Sequence, residues 1–405
     1  MYGLRLLAEP RLRRLILIAV AVILVGFRLV HFAIFTTKIE WGYDFSFYWR
    51  AAGALLHGEP IYSARQLSGP YAPQGQDGFL YPPPFAAAVT PFAAVFPTDY
   101  RAAAWGWTAL GAAILVAVVL AVARSEGLGD RLRRALRLGP WILVAAAIGF
   151  PSVIGELVLG NVHLVLLGLL SLAWLGIRSG TANGERLAGI AVGVAALIKV
   201  FPGVILLWFL LTRRWQGAAF VLVGVFAATL VTLPLTGTQP WLDYPTVLLN
   251  LSAPADTTDT LAPTVWLAPL IGFLPARIVV TATALGLVAW SALRSTTRMS
   301  YVVAVMASVL VAPALYHHYL AILVLPFLLL LAEGRPIAWL GVAYVLMSGG
   351  KQEAIGDFGW IVNRAMPTAG ALALLGLAIL APRSGGEPQP GRPGRVDART
   401  EPVPG

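Results

Sequence analysis

Leu187-Ala188-Gly189-Ile190-Ala191-Val192-Gly193-Val194-Ala195-Ala196-Leu197-Ile198-Lys199-Val200-Phe201-Pro202-Gly203-Val204-Ile205-Leu206-Leu207-Trp208-Phe209-Leu210-Leu211-Thr212 is an apolar run interrupted only by Lys199 and Pro202. A spanning helix needs roughly 20 such residues. A lysine and a proline at mid-depth are tolerated where a protein cavity receives them. The run therefore reads either as one crossing or as two half-helices forming a re-entrant hairpin. The choice sets the sidedness of everything that follows it.

The basic residues select the hairpin. With a cytoplasmic N-terminus and a hairpin at 187–212, the cytoplasmic segments hold Arg5, Arg11, Arg13, Arg14, Arg124, Arg131, Arg133, Arg134, Arg137, Arg178, Arg186, Arg213 and Arg214. They also hold Arg294, Arg298, Arg335, Arg383, Arg392, Arg395 and Arg399, twenty in all. The outer segments keep seven, namely Lys38, Arg50, Arg65, Arg101, Arg277, Lys351 and Arg364. This is the bias that orients polytopic proteins. A plain span would carry Arg213 and Arg214 outward and disturb the later loops.

Working outward, hydrophobic residues make up 58% of 405 positions and charged residues 12%. A water-soluble core neither needs nor could carry that much apolar surface. Further spans fall near 15–35, 102–123, 140–155, 161–177, 216–234, 276–293, 299–315, 318–332, 336–349 and 366–381. The sum is an all-α polytopic membrane protein with roughly 10–12 transmembrane helices. One transmembrane domain covers 1–381. The tail 382–405, rich in Gly, Pro, Arg and Glu, reads as disordered and cytoplasmic. The net charge of +10 does not imply nucleic acid, because the arginines flank apolar runs as they do beside an anionic leaflet. With no cysteine, disulfides, thiol catalysis and thiolate metal sites are excluded. The polar segments 36–101, 235–262 and 350–365 face outward, which places any chemistry on the non-cytoplasmic side of the cell membrane.

The first outer segment carries an aromatic amphipathic helix, Tyr43-Asp44-Phe45-Ser46-Phe47-Tyr48-Trp49-Arg50 and onward to Leu56. Phe45, Tyr48, Trp49, Ala52 and Leu56 share a face, and the helix is expected in the interface plane. Asp44 falls at the N-cap position, so it is either a cap or a functional carboxylate at the membrane surface. Tyr81-Pro82-Pro83-Pro84-Phe85 follows, and its prolines predict extended backbone, either a rigid connector or a loop re-entering the membrane edge. Gly160-Asn161-Val162-His163 opens a span. Lys199, costly in apolar surroundings, calls for an anionic partner, either a bound phosphate or a carboxylate such as Glu156. His317-His318 lies between two spans. Neighbouring helical side chains point about 100° apart and no third histidine is close in sequence, so a metal site is not expected. One of the two could donate to a phosphate, with His317 slightly preferred, or both could be inert interfacial residues.

In this order the motifs resemble the membrane-embedded mannosyltransferases of the GT-C fold class, the bacterial family that elongates phosphatidylinositol mannosides. The resemblance covers about residues 10–380. It rests on Tyr43-Asp44-Phe45, Leu55-Leu56-His57-Gly58-Glu59-Pro60-Ile61-Tyr62, Phe79-Leu80-Tyr81-Pro82-Pro83-Pro84-Phe85, Gly160-Asn161-Val162-His163, Ile198-Lys199-Val200-Phe201-Pro202 and the Pro-x-x-x-His-His element at 313–318. The chain departs from the family's usual pattern at Asn161, where Gln is more frequent, and before the histidines. The resemblance implies an inverting transferase that uses a polyprenyl-phosphate-mannose donor and forms an α-1,2 linkage on a glycolipid or polysaccharide acceptor. It implies Asp44 as general base and one of His317 and His318 on the donor phosphate. Tyr48, Arg50, Tyr62, Tyr81, Asn161, His163 and Lys199 would bind substrate, with no metal and no cofactor. The competing reading is a polytopic transporter or lipid flippase. It expects charges along a central path and the internal repeats common in transporters, and the sequence shows neither.

Overall fold

The computed structural model describes residues 10–38, 41–69, 77–250, 260–312, 314–349, 359 and 361–380. The expected tail 382–405 lies outside them, as do Arg5, Pro313, Lys351 and most of the outer segment 350–365. Helices are α1 (Pro10–Phe35), α2 (Tyr43–His57), α3 (Ala64–Leu67), α4 (Pro83–Val95), α5 (Tyr100–Ser125), α6 (Leu128–Leu136), α7 (Trp141–Gly149), α8 (Pro151–Leu159), α9 (His163–Arg178) and α10 (Ala182–Ile198). There follow α11 (Val204–Leu211), α12 (Trp215–Thr236), α13 (Gln239–Asn250), α14 (Pro263–Ile271), α15 (Phe273–Arg294), α16 (Thr297–Leu310), α17 (Val324–Ala332), α18 (Ile337–Leu346) and α19 (Met366–Ile379). Short 3-10 turns at Phe201–Gly203 and His317–Leu323 precede α11 and α17. No strand occurs among the described residues. The protein is an all-α, multi-pass membrane protein.

Five helices are long and apolar enough to cross a membrane, and the bent pair α7–α8 makes a sixth. The remaining expected spans are shorter apolar helices, so the roughly 10–12 crossings of the sequence reading resolve, among the described residues, into five full-length helices, one broken pair and several shorter apolar helices. The expected span at 140–155 is that broken pair, bending by 68° between α7 and α8. Phe150 is extended there and Pro151 opens the next helix, as expected where proline removes a hydrogen bond and restricts its predecessor. Leu15, Val22, Ile23 and Phe27 on α1, Phe226 and Val231 on α12, and Leu274 and Ile278 on α15 point outward. Such an apolar exterior suits lipid as solvent.

The stretch 187–212 is a hairpin. α10 and α12 run parallel and pack so closely that a Cβ on Gly189 would strike the Gly217 carbonyl oxygen, and one on Gly193 that of Val221. This is the small-residue contact that holds membrane helices together. Glu185, at the start of α10, accepts from the Gly217 backbone N–H at 2.9 Å and pairs with Arg214 at 3.9 Å. The start of α12 is thus level with the start of α10. Between them the chain has gone out along α10, turned at Lys199–Pro202 and come back along α11.

Charged contacts tie several helix ends together on the side where the basic loops lie. Glu126, buried at the end of α5, holds Arg298 at 2.6 Å and Arg178 at 3.4 Å and accepts from Trp174 Nε1 at 3.0 Å. Arg298 also pairs with Glu333, and Arg131 donates to the Ala332 carbonyl at 2.7 Å. Segments 124–137, 178, 298 and 332–333 therefore share one end, as the arginine count requires. Removing one member of a buried ionic group strands the others without solvent. Glu126→Ala is expected to cost about 3 kcal/mol, the low end of the usual range because Arg178 is half-exposed. A lower melting temperature in detergent, with turnover per folded molecule unchanged, checks it.

Candidate active site

The opposite end of the molecule carries the polar cluster. Helix α2 begins after Gly42, whose left-handed backbone (φ 71°) forms the cap without any side-chain hydrogen bond. Asp44 therefore lies in the first turn and is not the cap its position suggested. Its Oδ2 instead accepts from Asn161 Nδ2 at 2.7 Å. The buried face of α2 is Phe45, Phe47, Tyr48, Ala51, Ala52 and Leu55, whereas Leu56, expected inside, is exposed. The helix packs on both α4 and α5, which widens its buried arc beyond one interfacial stripe. Pro83 and Pro84, expected to be extended, form the first turn of α4, where missing N–H groups cost nothing.

Gly160 brings α2 and α8 into register. It ends α8 with φ 67°, and a Cβ there would lie 2.8 Å from that of Phe45. Gly42 N donates to the Val158 carbonyl at 2.7 Å across the same junction. Both positive φ and close approach favour glycine. The next residue, Asn161, is thereby aimed at Asp44. Its Oδ1 is fixed by the Val162 N–H at 2.7 Å and by the Tyr81 hydroxyl at 3.4 Å, which orients Nδ2 toward Asp44. That same Nδ2 sits 3.3 Å from His318 Nε2. Tyr48 and Tyr81 exchange a hydroxyl hydrogen bond of 2.7 Å behind the amide.

A second line of polar groups backs the first. Glu156, on α8, accepts from the backbone N–H groups of His163 and Leu164 and from His163 Nδ1 at 3.0 Å. Lys199, at the turn of the hairpin, shares a hydrogen bond with His163 Nε2 at 3.1 Å. Its ammonium lies 3.9 Å from the Tyr319 ring centroid and 5.4 Å from that of Tyr81. The ring of His163 is 5.3 Å from that of His318. Lys199 does not pair directly with Glu156, as the sequence allowed, but reaches it through His163.

The structure thus gathers Asp44, Tyr48, Tyr81, Asn161, His163, Lys199 and His318. His318 is the member of its pair that joins them, not His317. Arg50 and Tyr62 stand apart. Tyr62 is buried, donates to the Tyr81 carbonyl at 2.7 Å and stacks on Tyr244, so it props up the Tyr81 loop. Arg50 is exposed and lines a cavity of about 560 Å³ along α2, shared with Phe47, Trp49, His57, Glu59 and Asp77. Glu156 and Tyr319 were not singled out as site residues. A carboxylate inside a membrane segment was the signal for Glu156, since such a group is seldom kept without use. Nothing in the sequence marked Tyr319 beyond its place beside the histidines.

Burial pushes the Asp44 carboxyl above the ordinary carboxylate range, although the Asn161 hydrogen bond and the Lys199 charge pull it the other way. Burial likewise raises the Tyr48 and Tyr81 hydroxyls, which stay protonated donors. Glu156, His163 and His318 each offer a ligand atom within 4.8 Å of the others. A third histidine therefore does approach the pair, contrary to the sequence reading. As a metal site the group is poor, because both His163 nitrogens are already engaged and an ammonium lies against one of them. The arrangement sets a carboxylate beside a cluster of hydrogen-bonding and cationic side chains.

The chain is similar to known proteins over much of this region. The family model for glycosyltransferase family 87 matches residues 79–315, more than half of the chain. A polyprenol-phosphate-mannose-dependent alpha-(1-2)-phosphatidylinositol mannoside mannosyltransferase from Mycobacterium tuberculosis is 29% identical over 208 residues, 49% of this chain and 46% of that protein. The match thus spans less than half the length of that relative. No solved structure matches the chain.

Proposed function

Because the chain belongs to glycosyltransferase family 87, we propose that it is an inverting membrane transferase that moves a mannosyl, or closely related, residue from a polyprenyl-phosphate sugar to a glycolipid or glycan acceptor. The observation that carries this reading is the Asp44–Asn161–His318 line with Lys199 behind it. It sets a proton acceptor beside groups that bind phosphate.

In this reading the free Asp44 oxygen takes the proton of an acceptor hydroxyl as its oxygen attacks the anomeric carbon. The bond from that carbon to the phosphate oxygen breaks, and the phosphate departs with one more negative charge. His318 and Lys199 stabilise that charge, which grows in the transition state and so favours rate over binding. One displacement on a β-linked donor inverts the centre and gives an α product, here an α-1,2 linkage. The polyprenyl phosphate is a good leaving group, so the protein mainly positions and deprotonates the acceptor. The cavity beside Arg50 would receive the acceptor's remaining sugars. No metal or cofactor takes part, the charge work falling to His318 and Lys199. The reaction faces outward, away from the basic loops, with both termini cytoplasmic.

The test is to incubate purified protein with polyprenyl-phosphate mannose and membrane glycolipids, without added metal and with chelator present. The expected result is a glycolipid heavier by one hexose, which an α-1,2-specific mannosidase removes. Transfer only from a nucleotide sugar, or transfer abolished by chelator, would overturn the reading.

A further inference from the structure

We propose that Glu156 is a positioning residue for the donor phosphate: it holds His163 in one tautomer, and His163 in turn aims the Lys199 ammonium into the pocket. The inference rests on the phosphate role given to Lys199 above and adds to it a residue with no contact to substrate.

With Glu156 ionised and Lys199 protonated, the geometry leaves one consistent assignment of protons. Glu156 and His163 are buried, at 1% and 0% side-chain exposure, so neither can borrow hydrogen bonds from water. The ammonium of Lys199 has donors only, so the His163 Nε2 that faces it at 3.1 Å must be the acceptor. The imidazole proton then sits on Nδ1, where it meets Glu156 Oε2 at 3.0 Å. The other carboxylate oxygen, Oε1, is already committed to the backbone N–H groups of His163 and Leu164. All three donors around Glu156 are matched by its two oxygens. Lys199, by contrast, is only partly buried, with its ammonium 3.9 Å from the Tyr319 ring centroid.

Glu156→Gln tests the chain of contacts because the backbone dictates how the amide must lie. Its oxygen has to take the Oε1 place, facing two N–H donors. Its NH₂ group therefore faces His163 Nδ1, which must become an acceptor, and the proton moves to Nε2. There it opposes the ammonium of Lys199, donor against donor, and the lysine leaves its place. An Asp-to-Asn change beside a catalytic imidazole acts through the same change of tautomer. Outer-shell carboxylates behind metal-bound histidines change affinity by roughly 10–100-fold, and an effect of this order is expected here.

Two measurements decide the matter. The first is long-range ¹⁵N–¹H correlation of the imidazoles, feasible with five histidines, with His163→Gln identifying the signal. The wild type should show His163 protonated on Nδ1, and Glu156→Gln should show it protonated on Nε2. The second is binding of polyprenyl phosphate, which needs no sugar transfer. Its dissociation constant should rise about 10–100-fold in Glu156→Gln, to a similar extent in Lys199→Met, and no further in the double variant. That non-additivity marks residues acting through one another, whereas a merely structural Glu156 would add its own loss. A wild-type His163 protonated on Nε2 overturns the proposal even if Glu156→Gln does not fold. So does a change of tautomer that leaves binding unaltered. Absence of sugar transfer in a protein that passes both tests would fall on the proposed reaction instead.

Discussion

Asp44→Asn is expected to cut transfer by orders of magnitude while the protein folds and binds donor as before. The expected loss is about 10²–10⁴ in kcat, the usual contribution of a positioned base. Folding should survive because Asp44 caps nothing; Gly42 forms the cap. The substituted amide still offers an oxygen to Asn161 Nδ2, the one side-chain partner that Asp44 Oδ2 has. What it cannot do is take a proton from the acceptor. The pH profile supplies a second readout with a definite sign. A base must be deprotonated to work, so activity falls as pH falls through its pKa. Burial raises the Asp44 carboxyl, which places the acidic limb of kcat/KM above the ordinary Asp value of about 3.9. Residual activity in the Asn variant should lack that limb. Near-normal turnover, or the same limb in the variant, would remove Asp44 from the mechanism.

Several of these features were legible in the chain and others were not, for physical reasons. The hairpin was legible because Lys199 and Pro202 cannot sit in lipid and because Arg213 and Arg214 need an end to share; the Arg214 and Gly217 contacts to Glu185 place that end beside the start of α10. Helix α2 was legible from its aromatic spacing. Its cap was not, because an Asp two positions into a helix looks like one at its start, and the left-handed Gly42 that settles the matter is a backbone property. The break at Phe150–Pro151 was hidden inside a run apolar enough to cross unbroken. The meeting of His163 with His318 was beyond reach of spacing rules. It depends on α8 ending at Gly160 close against Phe45 and on a 3-10 turn presenting His318, and neither is a pattern in residue type. Glu156 was visible only as a possible partner of Lys199. Its place behind His163 needed the fold.

His318→Ala should lower kcat by about 10²–10³, the usual cost of losing one donor to a developing oxyanion, with little change in the acceptor KM. His317→Ala should leave kcat within a few-fold of wild type. The sequence could not separate the two and leaned toward His317; the turn that carries them separates them. His317–Leu323 is a 3-10 helix, in which neighbouring side chains diverge by about a third of a turn, so the two do not point the same way. His318 is the one that faces the cluster, with Nε2 3.3 Å from Asn161 Nδ2 and its ring stacked on Tyr316 and 5.3 Å from His163. Because Asn161 Nδ2 also donates to Asp44, the proposed base and the proposed phosphate contact are held by a single amide. In the proposed reaction that amide would set the distance between the bond that forms and the bond that breaks. Asn161→Ala should then lower kcat at least as much as His318→Ala, and the double variant should fall no lower than the worse single one, as for groups that act as a unit. Steady-state kinetics for both donor and acceptor, normalised to folded protein, would read this out. A silent His318→Ala beside an inactive His317→Ala would assign the phosphate to the other histidine. Two silent variants would leave the departing charge to Lys199 alone.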